Sequence, residues 1–297
     1  NPQTLELYTD ADGNTYGKFT APIYIGQAYE LNINDVDTSG IQKVPLTSLE
    51  GENAENAQAK PKSSNYLRRL QDLLQNQIFA ADYGAFGTSP STNTATINTA
   101  IGKAAASGGG VVFLPPGTIE ITQLTVSAGV VLRGMGRDAT ALQSQTGAEI
   151  ITLDGDGCGL MDLTIDGVTL VASSVGVYSE NPQRIILQDV LIKRFVTGLY
   201  LQGCDDPIFR GLSIDNCTIG AKLYGENDTL DHLSWSGGIV STCTTYGLDI
   251  SYEGELAINL TLDDIAFKSN TGVALHVNGG KYIGGHGLRW SGNTHDV

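Results

Sequence analysis

A unit of roughly two dozen residues recurs along the second half of the chain, and it constrains the fold more than any other feature. Each unit begins with a glycine that is followed by a short run of alternating apolar and polar residues. The intervals between these glycines are 22, 22, 27 and 25 residues. Such a period is typical of a solenoid, in which neighbouring units stack because no single unit can bury its own apolar face. The leading glycines are Gly176, Gly198, Gly220, Gly247 and Gly272.

A second apolar run follows the first within each unit. Two or three short strands per unit, with no helix inside it, predict a parallel β-helix rather than a leucine-rich or helical array. Equivalent strands then stack at about 4.8 Å, so a residue type that is repeated at one offset forms a ladder. We expect Asn270 and Asn293, together with Asn216, to form such ladders. The second run occurs at residues 163–165, 190–192, 212–214, 233–235, 260–262 and 288–290.

Residues 81–122 separate the repeats from what precedes them. They read Ala-Asp-Tyr-Gly-Ala-Phe-Gly, then an alanine-rich stretch, then Gly-Gly-Gly-Val-Val-Phe-Leu-Pro-Pro-Gly-Thr. Ile97, Ala100, Ile101 and Ala104 are spaced by three and four residues, which predicts a helix over 94–106. We expect this helix to cover the first coil, whose unpaired strand edges would otherwise invite aggregation.

Charge and composition exclude several classes of function. The chain has 32 Asp and Glu against 17 Lys and Arg, a net charge of -15, so its field repels nucleic acid and anionic membranes. No apolar run approaches the roughly 18 residues of a membrane span. The four cysteines and four histidines lack metal-ligand spacing, so we expect free buried thiols, no metal and no cofactor. The cysteines are Cys158, Cys204, Cys217 and Cys243.

The stretch at 81–122 resembles the opening of a known family. Its two motifs and the helix between them are similar to the start of the pectate-lyase-like right-handed parallel β-helices, which include phage tailspikes and pectin-degrading enzymes. The resemblance covers residues 81 to 122, and the later coils agree in pattern only. Family members often have Gly-Asp-Gly where this chain has Gly87-Thr-Ser-Pro, so no role of that acid is carried over.

Two earlier segments resemble other parts of phage tailspikes and fibres. Leu5-Glu-Leu-Tyr-Thr-Asp-Ala-Asp-Gly-Asn-Thr-Tyr and Ala21-Pro-Ile-Tyr-Ile-Gly are similar to strand and hairpin segments of their head-binding modules. Between these and the repeats, residues 63–78 carry apolar residues with helical spacing. This helix either packs on its own domain or forms a neck where three chains meet. The resemblance favours the neck, since tailspikes are homotrimers.

We therefore expect a mainly β chain in three parts. Residues 1–50 form an incomplete β-rich module that binds the virion, and 51–80 form a linker with a short neck helix. Residues 81–297 form a right-handed parallel β-helix that continues beyond the last residue, because the repeat pattern stops in mid-unit.

Acidic residues recur on the turn after the first strand of each unit. Carboxylates on adjacent coils would lie about 5 Å apart and those two coils apart about 10 Å, which brackets the spacings of retaining and inverting glycoside hydrolysis. The alternative is that these are solvated turn residues, where aspartate is favoured. A second acidic column, Asp166, Asp215 and Asp263, follows the second strand. The catalytic candidates are Glu226, Asp228, Asp205, Asp206 and Glu253.

The resemblance implies a phage tailspike or tail fibre that attaches the virion to host-surface polysaccharide and cleaves it. Such a protein is a homotrimer, assembles in the host cytoplasm, and joins tail or baseplate proteins through its N-terminal module. Hydrolysis is favoured over a lyase reaction because Lys193, Arg194 and Arg210 form only a small basic island. The alternatives are a non-catalytic connector of the tail and a secreted pectin-type lyase. An enzyme would release new chain ends from host polysaccharide, whereas a connector would not. A secreted lyase would carry a signal sequence.

Overall fold

A computed structural model describes residues 5–9, 15–19, 58–59, 68–69, 77–84, 86–144, 149–226, 231–253, 259–279 and 283–297. The chain divides into two compact units, Asn1–Asn76 and Gln77–Val297. In the first unit, Leu5–Thr9 pairs antiparallel with Thr15–Phe19, and Gln58–Ala59 pairs antiparallel with Arg68–Arg69. The rest of the predicted virion-binding module at 1–50 lies outside the described residues.

The second unit is a β-solenoid of about six turns, which confirms the predicted β-helical architecture. Its strands lie on three faces, sheets I, II and III, and pair in parallel from coil to coil. Each coil passes from sheet I to II to III. Sheet I comprises Leu124–Ser127, Glu149–Asp154, Val175–Glu180, Thr197–Gln202, Ile219–Glu226, Tyr246–Glu253 and Val273–Asn278.

Sheets II and III meet at a corner of only a few residues. Two eight-residue strands, Gly159–Asp166 and Ile186–Lys193, run through this corner and belong to both sheets. Asp162 and Asp189 have φ of 55° and 50° there, which turns the chain. The other strands of sheet II are Gln77–Phe79, Gly110–Phe113, Val130–Arg133, Ile208–Arg210, Leu233–Ser236, Leu260–Asp263 and Ile283–His286. Those of sheet III are Gly117–Glu120, Thr140–Gln143, Ser213–Asp215, Ile239–Ser241, Ala266–Lys268 and Arg289–Ser291.

Aliphatic side chains stack inside the coils at one offset of sheet I. Val177, Leu199, Ala221, Leu248 and Leu275 are neighbours in register, and none is more than 8% exposed. Because side chains alternate along a strand, the residue that follows each member of this column, such as Tyr178 after Val177, points outward. The core is therefore continuous along the solenoid, and each coil covers the apolar face of the next.

The leading glycines occupy an inward position with no room for a side chain. At Gly198, an added Cβ atom would lie 2.6 Å from the carbonyl oxygen of Gly220 and 2.8 Å from Cγ2 of Ile214. Carbon atoms do not approach backbone oxygens that closely, so the neighbouring coil would have to move. The repeat of glycine thus follows from the close stacking of the coils at this corner.

The alignment predicted for the last glycine is wrong. Leu248 pairs with Leu275 and Tyr246 with Val273, so Ala274 rather than Gly272 occupies the leading position in that coil. Gly272 lies in the preceding turn, two residues before Ala274. An alignment based on the spacing of glycines therefore chooses Gly272 as the leading residue. The strand that follows is consequently displaced by two residues from the predicted alignment.

The repeat of the second strand combines two ladders. Residues 233–235 and 260–262 lie on sheet II, whereas 163–165, 190–192, 212–214 and 288–290 lie on or directly beside the strands of sheet III. Both sheets have the same apolar, polar, apolar pattern and are separated by a short corner. Spacing alone therefore does not distinguish them.

Helix α1, Pro90–Ala106, covers the first coil as predicted and packs on strands of sheets I and II. It begins four residues before the expected start, because Ser89 caps it and Pro90 occupies its first turn. The Ser89 Oγ accepts a hydrogen bond from the Thr92 N–H at 3.4 Å. Its residues Ile97 and Ala100 are fully buried. No helix in the described part of the chain has both the length and the apolar character that a membrane crossing requires.

The helix predicted over 63–78 is described at its middle and end only, and both places are strands. Arg68–Arg69 pairs with Gln58–Ala59, and Gln77–Phe79 pairs in parallel with Gly110–Phe113. The Phe79 and Phe113 rings stack with centroids 5.3 Å apart. Residues 77–79 therefore form a strand because they pair with the edge of sheet II, which would otherwise be open. The other residues of the predicted helix lie outside the described ranges.

An asparagine ladder stands at the turn from sheet III to sheet I. The Asn270 N–H donates to Oδ1 of Asn293 at 3.0 Å, and Oδ1 of Asn270 accepts from the Cys243 N–H at 2.9 Å. The prediction is confirmed for these two asparagines. It is wrong for Asn216, which lies one residue before the ladder position, and whose N–H donates to Thr242 Oγ1 instead.

All four cysteines are free and buried, as predicted. Burial raises the pKa of Cys158, Cys204 and Cys217 to about 12, and it also raises that of Cys243. These thiols are therefore protonated and pack as small apolar side chains.

Candidate functional site

The predicted acidic turns do not form one column. Glu226 and Glu253 are neighbours in register at the end of sheet I. Asp205 lies in a turn after sheet I and is bridged to Gln183 and Asp231 instead. The offset changes because the coil that starts at Gly220 is five residues longer than the one before it. The side chains of Glu226 and Glu253, and Asp228 and Glu255 as a whole, lie outside the described part.

Asp205 and Asp206 belong to an acidic turn cluster with Asp231 and His232. The His232 Nδ1 lies 3.2 Å from Asp231, 3.7 Å from Asp206 and 3.8 Å from Asp205. Ligand atoms of Asp205, Asp206 and His232 lie within 4.8 Å of one another, so these three could hold a metal ion. The His232 side chain is 61% exposed, and aspartates are favoured and well screened in exposed turns. The cluster alone therefore indicates a solvated turn.

The second predicted acidic column is wrong. Lys193 stands between Asp166 and Asp215 in register on sheet III. Asp263 is on sheet II, where it pairs with His286. The error arises because strands of sheets II and III share one sequence pattern, so residues of two sheets were aligned as one column.

The predicted basic island is largely occupied by an internal ion pair. Arg194 donates from Nε to Asp166 Oδ1 at 2.7 Å and from Nη2 to Oδ2, and Lys193 Nζ lies 3.5 Å from the same carboxylate. Burial alone would raise the pKa of Asp166, whose side chain is 2% exposed. The hydrogen bonds from Arg194 and Val168 and the two cationic charges outweigh burial and lower it. Both cations are therefore engaged by Asp166, and loss of this carboxylate would leave them without their partner.

The outward side chains of sheet I form a different kind of surface. We call the residues two positions after the leading glycine, or after Ala274, the outer ladder. They are neighbours in register, one for each coil, and at about 4.8 Å per step they extend over roughly 19 Å. The outer ladder consists of Tyr178, Tyr200, Lys222, Asp249 and His276.

Aromatic rings and one ammonium form the first half of the outer ladder. The Tyr178 and Tyr200 rings stack with centroids 5.5 Å apart and planes 12° apart. Lys222 Nζ lies 5.4 Å from the centroid of the Tyr200 ring and 5.6 Å from that of Tyr224. The Tyr178 hydroxyl donates to Glu180 at 2.7 Å, and burial together with this hydrogen bond raises the pKa of Tyr178 to about 12. The phenol is thus a fixed donor at neutral pH.

A carboxylate and an imidazole form the second half. Asp249 Oδ1 lies 2.7 Å from His276 Nδ1 and accepts from Ser251 Oγ at 3.1 Å. The Asp249 side chain is 8% exposed and that of His276 36%. The Tyr246 ring stacks on the imidazole with centroids 4.5 Å apart. The carboxylate is therefore buried, whereas the imidazole that it contacts is partly exposed.

This surface combines flat apolar rings with fixed donors and acceptors. Stacked tyrosines offer large faces at small entropic cost, and polar groups beside them give direction to a ligand. An extended polymer with a hydroxyl-rich, partly apolar surface fits such a strip. A nucleotide polymer does not, given the net charge of -15.

The prediction from the sequence missed this surface, although its signal is present. Gly176-Val-Tyr, Gly198-Leu-Tyr, Gly220-Ala-Lys and Gly247-Leu-Asp all place the outer ladder residue two positions after the glycine. The misplaced glycine at 272 removed His276 from this series.

The solved structures that are similar to this chain include two proteins of phage origin. The tailspike protein gp49 from Acinetobacter baumannii bacteriophage Fri1, a capsular polysaccharide depolymerase, superposes with a TM-score of 0.59 at 17% identity, over 77% of this chain and 49% of that chain. ORF18 of Geobacillus virus E2 superposes with a TM-score of 0.50 at 17% identity, over 75% of this chain and 61% of that chain. The similarity confirms the resemblance in fold, and this chain spans only half to three fifths of the length of these proteins. No protein-family model and no curated protein matches the sequence.

Proposed function

We propose that this chain is part of a phage tailspike that attaches the virion to host-surface polysaccharide and cleaves it. The observation that carries the proposal is the outer ladder, a polar and aromatic strip about 19 Å long on one face of a rigid parallel solenoid. A solenoid suits a polymeric ligand because both repeat along one axis. Each coil offers one side chain to the ligand at a fixed spacing.

The similarity in fold supports the same function. The solved structure with a TM-score of 0.59 is described as a tailspike and a capsular polysaccharide depolymerase. Since fold does not determine function, the outer ladder and not the fold is assigned the binding role. The attachment of the virion is assigned to the N-terminal part, residues 1–50, and the active form to a homotrimer assembled in the host cytoplasm.

Binding to immobilised polysaccharides tests the proposal. The 297-residue chain is applied to capsular polysaccharides and O-antigens from a panel of bacterial strains. We expect tight binding to one polysaccharide or a few, and the appearance of new chain ends on incubation. Tyr178→Ala and Tyr200→Ala should each weaken binding by about tenfold, because each removes a stacking face. Tyr83→Ala is the control, since Tyr83 is an exposed tyrosine that lies on the short helix Ala80–Tyr83 and not on the outer ladder.

The outcomes separate the proposal from the connector alternative. A connector binds no polysaccharide on the panel, and that result would overturn the proposal. Binding that is lost equally in Tyr83→Ala would remove the outer ladder as its site. Sedimentation velocity tests the trimer, and a monomer at micromolar concentration would contradict that part.

A further inference from the structure

We infer that a cavity at the turn from sheet III to sheet I binds a small organic ammonium ion. We call it the turn cavity; it has a volume of about 190 Å³ and lies beside Pro90, the first residue of α1. Three successive coils contribute to it through Ile121, Gln143 and Val168. The turn cavity contains no residue of the outer ladder, so this inference does not rest on the proposed function.

The interior of the turn cavity is mainly apolar. Pro90, Ile121 and Val168 lie in its walls. Ile121 is only 2% exposed, so the floor of the cavity is formed by a core residue. A dry apolar cavity of about 150 Å³ holds a benzene molecule, so the turn cavity has room for one ring or a short alkyl chain.

The polar groups around the floor are already paired within the chain. The Thr122 N–H donates to Thr94 Oγ1 at 2.9 Å, and Ser144 Oγ donates to the carbonyl oxygen of Thr122 at 3.1 Å. The carbonyl oxygen of Glu120 accepts from Asn93 Nδ2 at 2.9 Å. Water at the floor therefore finds few partners among these groups, and replacing it by an apolar group is favourable.

Val168 has a backbone conformation that its side chain disfavours. Its φ is 59°, which is a genuine outlier for a β-branched residue. The Val168 N–H donates to Asp166 Oδ1 at 2.9 Å, and Asp166 is held in turn by Arg194 and Lys193, so the surroundings enforce this conformation. Backbone strain of this kind clusters at ligand clamps and other functional sites. Here it accompanies a valine side chain that lines the turn cavity.

A carboxylate without an ion-pair partner lies at the rim. Glu120 and Gln143 are neighbours in register on the outward ladder of sheet III. Among the described side chains, no cation lies within ion-pair distance of Glu120, whereas the next acid of the ladder, Asp166, is engaged by Arg194 and Lys193. The Gln143 side chain turns its nitrogen to Asp166 at 3.5 Å, which leaves its oxygen as an acceptor. Acceptors at the rim of an apolar cavity select a cation with an apolar body.

The positive end of α1 does not reverse this selection. The helix dipole is equivalent to about half a charge at the first turn, and the Ser89 Oγ already accepts from the Thr92 N–H there. Pro90 itself has no N–H to offer to an anion. The full charge of Glu120 and the net charge of -15 both favour a cation.

Titration with three probes of similar size tests the inference. The probes are benzylammonium, benzyl alcohol and benzoate. With about eight heavy atoms, benzylammonium should bind with a Kd of about 1 mM. Benzyl alcohol should bind about tenfold more weakly, because it lacks the charge that Glu120 attracts, and benzoate should not bind. Methyl NMR of the 297-residue chain locates the site, since the signals of Ile121 and Val168 should shift while those of Val177 and Ile250 stay.

Two variants separate the charge from the apolar walls. Glu120→Gln should weaken benzylammonium binding by about tenfold and leave benzyl alcohol binding unchanged. Asp189→Asn is the control, because Asp189 is an exposed carboxylate at the corner of sheets II and III. Val168→Ala should weaken the binding of both probes by about threefold, since it removes apolar contact that both of them make.

Each outcome has one consequence. No shift of Ile121 or Val168 at a benzylammonium concentration about tenfold above the expected Kd would overturn the site. Equal affinity for benzylammonium and benzyl alcohol, an unchanged ratio in Glu120→Gln, or stronger binding of benzoate would overturn the assignment of a cation. If Val168→Ala does not fold, the three probes and Glu120→Gln still decide. Polysaccharide binding is measured separately, so either failure leaves the proposed function in place.

Discussion

Sheets I and III each present an outward ladder of polar side chains, one for each coil. On sheet III, Asp166 is 2% exposed and is paired with Lys193 and Arg194 in the adjacent coil. On the outer ladder of sheet I, Lys222 rests on tyrosine rings, and the His276 side chain is 36% exposed. The complete ladder of sheet III comprises Glu120, Gln143, Asp166, Lys193, Asp215, Ser241, Lys268 and Ser291.

The difference shows how one periodic geometry serves two purposes. Coil stacking brings equivalent positions to about 4.8 Å, and on sheet III the opposite charges that meet in this way form ion pairs, so this ladder is part of the scaffold. On the outer ladder, tyrosine rings and the Lys222 ammonium form no ion pair among the described side chains, so they can contact a ligand. A ladder that is satisfied internally stabilises the solenoid, and a ladder that is not satisfied is available to a ligand.

The largest expected effect is on the scaffold side. Asp166→Asn should lower the free energy of unfolding by about 2 to 3 kcal/mol, because it leaves two cationic groups beside a buried amide. Asp264→Asn is the control, since Asp264 forms an exposed pair with Arg289 whose side chains are 70% and 63% exposed. That pair should contribute less than about 0.5 kcal/mol. Urea unfolding measures both, and equal losses in the two variants would contradict the distinction.

The same aspartate predicts a dependence on pH. The pKa of Asp166 is lowered in the folded chain below its ordinary value of 3.8, so the unfolded chain binds the proton more readily. Its contribution to stability is therefore complete above that value and is lost as the pH falls through the folded pKa. We expect the difference in Tm between the wild type and Asp166→Asn to narrow below about pH 4. A constant difference from pH 6 to pH 3 would show that Asp166 contributes no charge-dependent stability.

Much of the architecture is predictable because coil stacking imposes a repeat on the sequence. The apolar column of Val177, Leu199 and Leu248 and the cap formed by α1 follow from periodicity alone. Gly272 shows the limit, since a glycine is required by a close approach that sequence spacing does not reveal. Coil length varies too, and the longer coil after Gly220 moves Glu226 away from the turn of Asp205.

The candidate site was harder to predict because its members are ordinary residues at an unremarkable offset. Acidic turn residues attract attention as catalysts, although aspartate is common in turns for conformational reasons. The pairing of Asp249 with His276 spans 27 residues of sequence and depends on register across one strand pair. An error of two residues in the position of one leading glycine is enough to hide this pairing.

Exchanging a lysine on each ladder sharpens the comparison at smaller scale. Lys193→Met should cost about 1 kcal/mol, because it removes a partly exposed partner of a buried carboxylate. Lys222→Met should stay within about 0.5 kcal/mol of the wild type, since a methionine retains the contact with the tyrosine rings. Chemical unfolding of the two variants under identical conditions provides the measurement. A larger loss for Lys222→Met would place the outer ladder among the scaffold elements.

The smallest effect on activity is expected at the acidic turn cluster, which contains the catalytic candidates Asp205 and Asp206 of the sequence analysis. Asp205→Asn combined with Asp206→Asn removes two charges from exposed side chains that face His232 and Asp231. If the outer ladder performs the reaction, the double variant should release new chain ends within about twofold of the wild-type rate, because the two surfaces share no residue. If the acidic turns hydrolyse the glycan, the loss should reach 100-fold or more, as expected for removal of an acid or base. Release of ends by the double variant and by His276→Gln, measured on the same polysaccharide, assigns the reaction to one surface, and activity in both variants would exclude both.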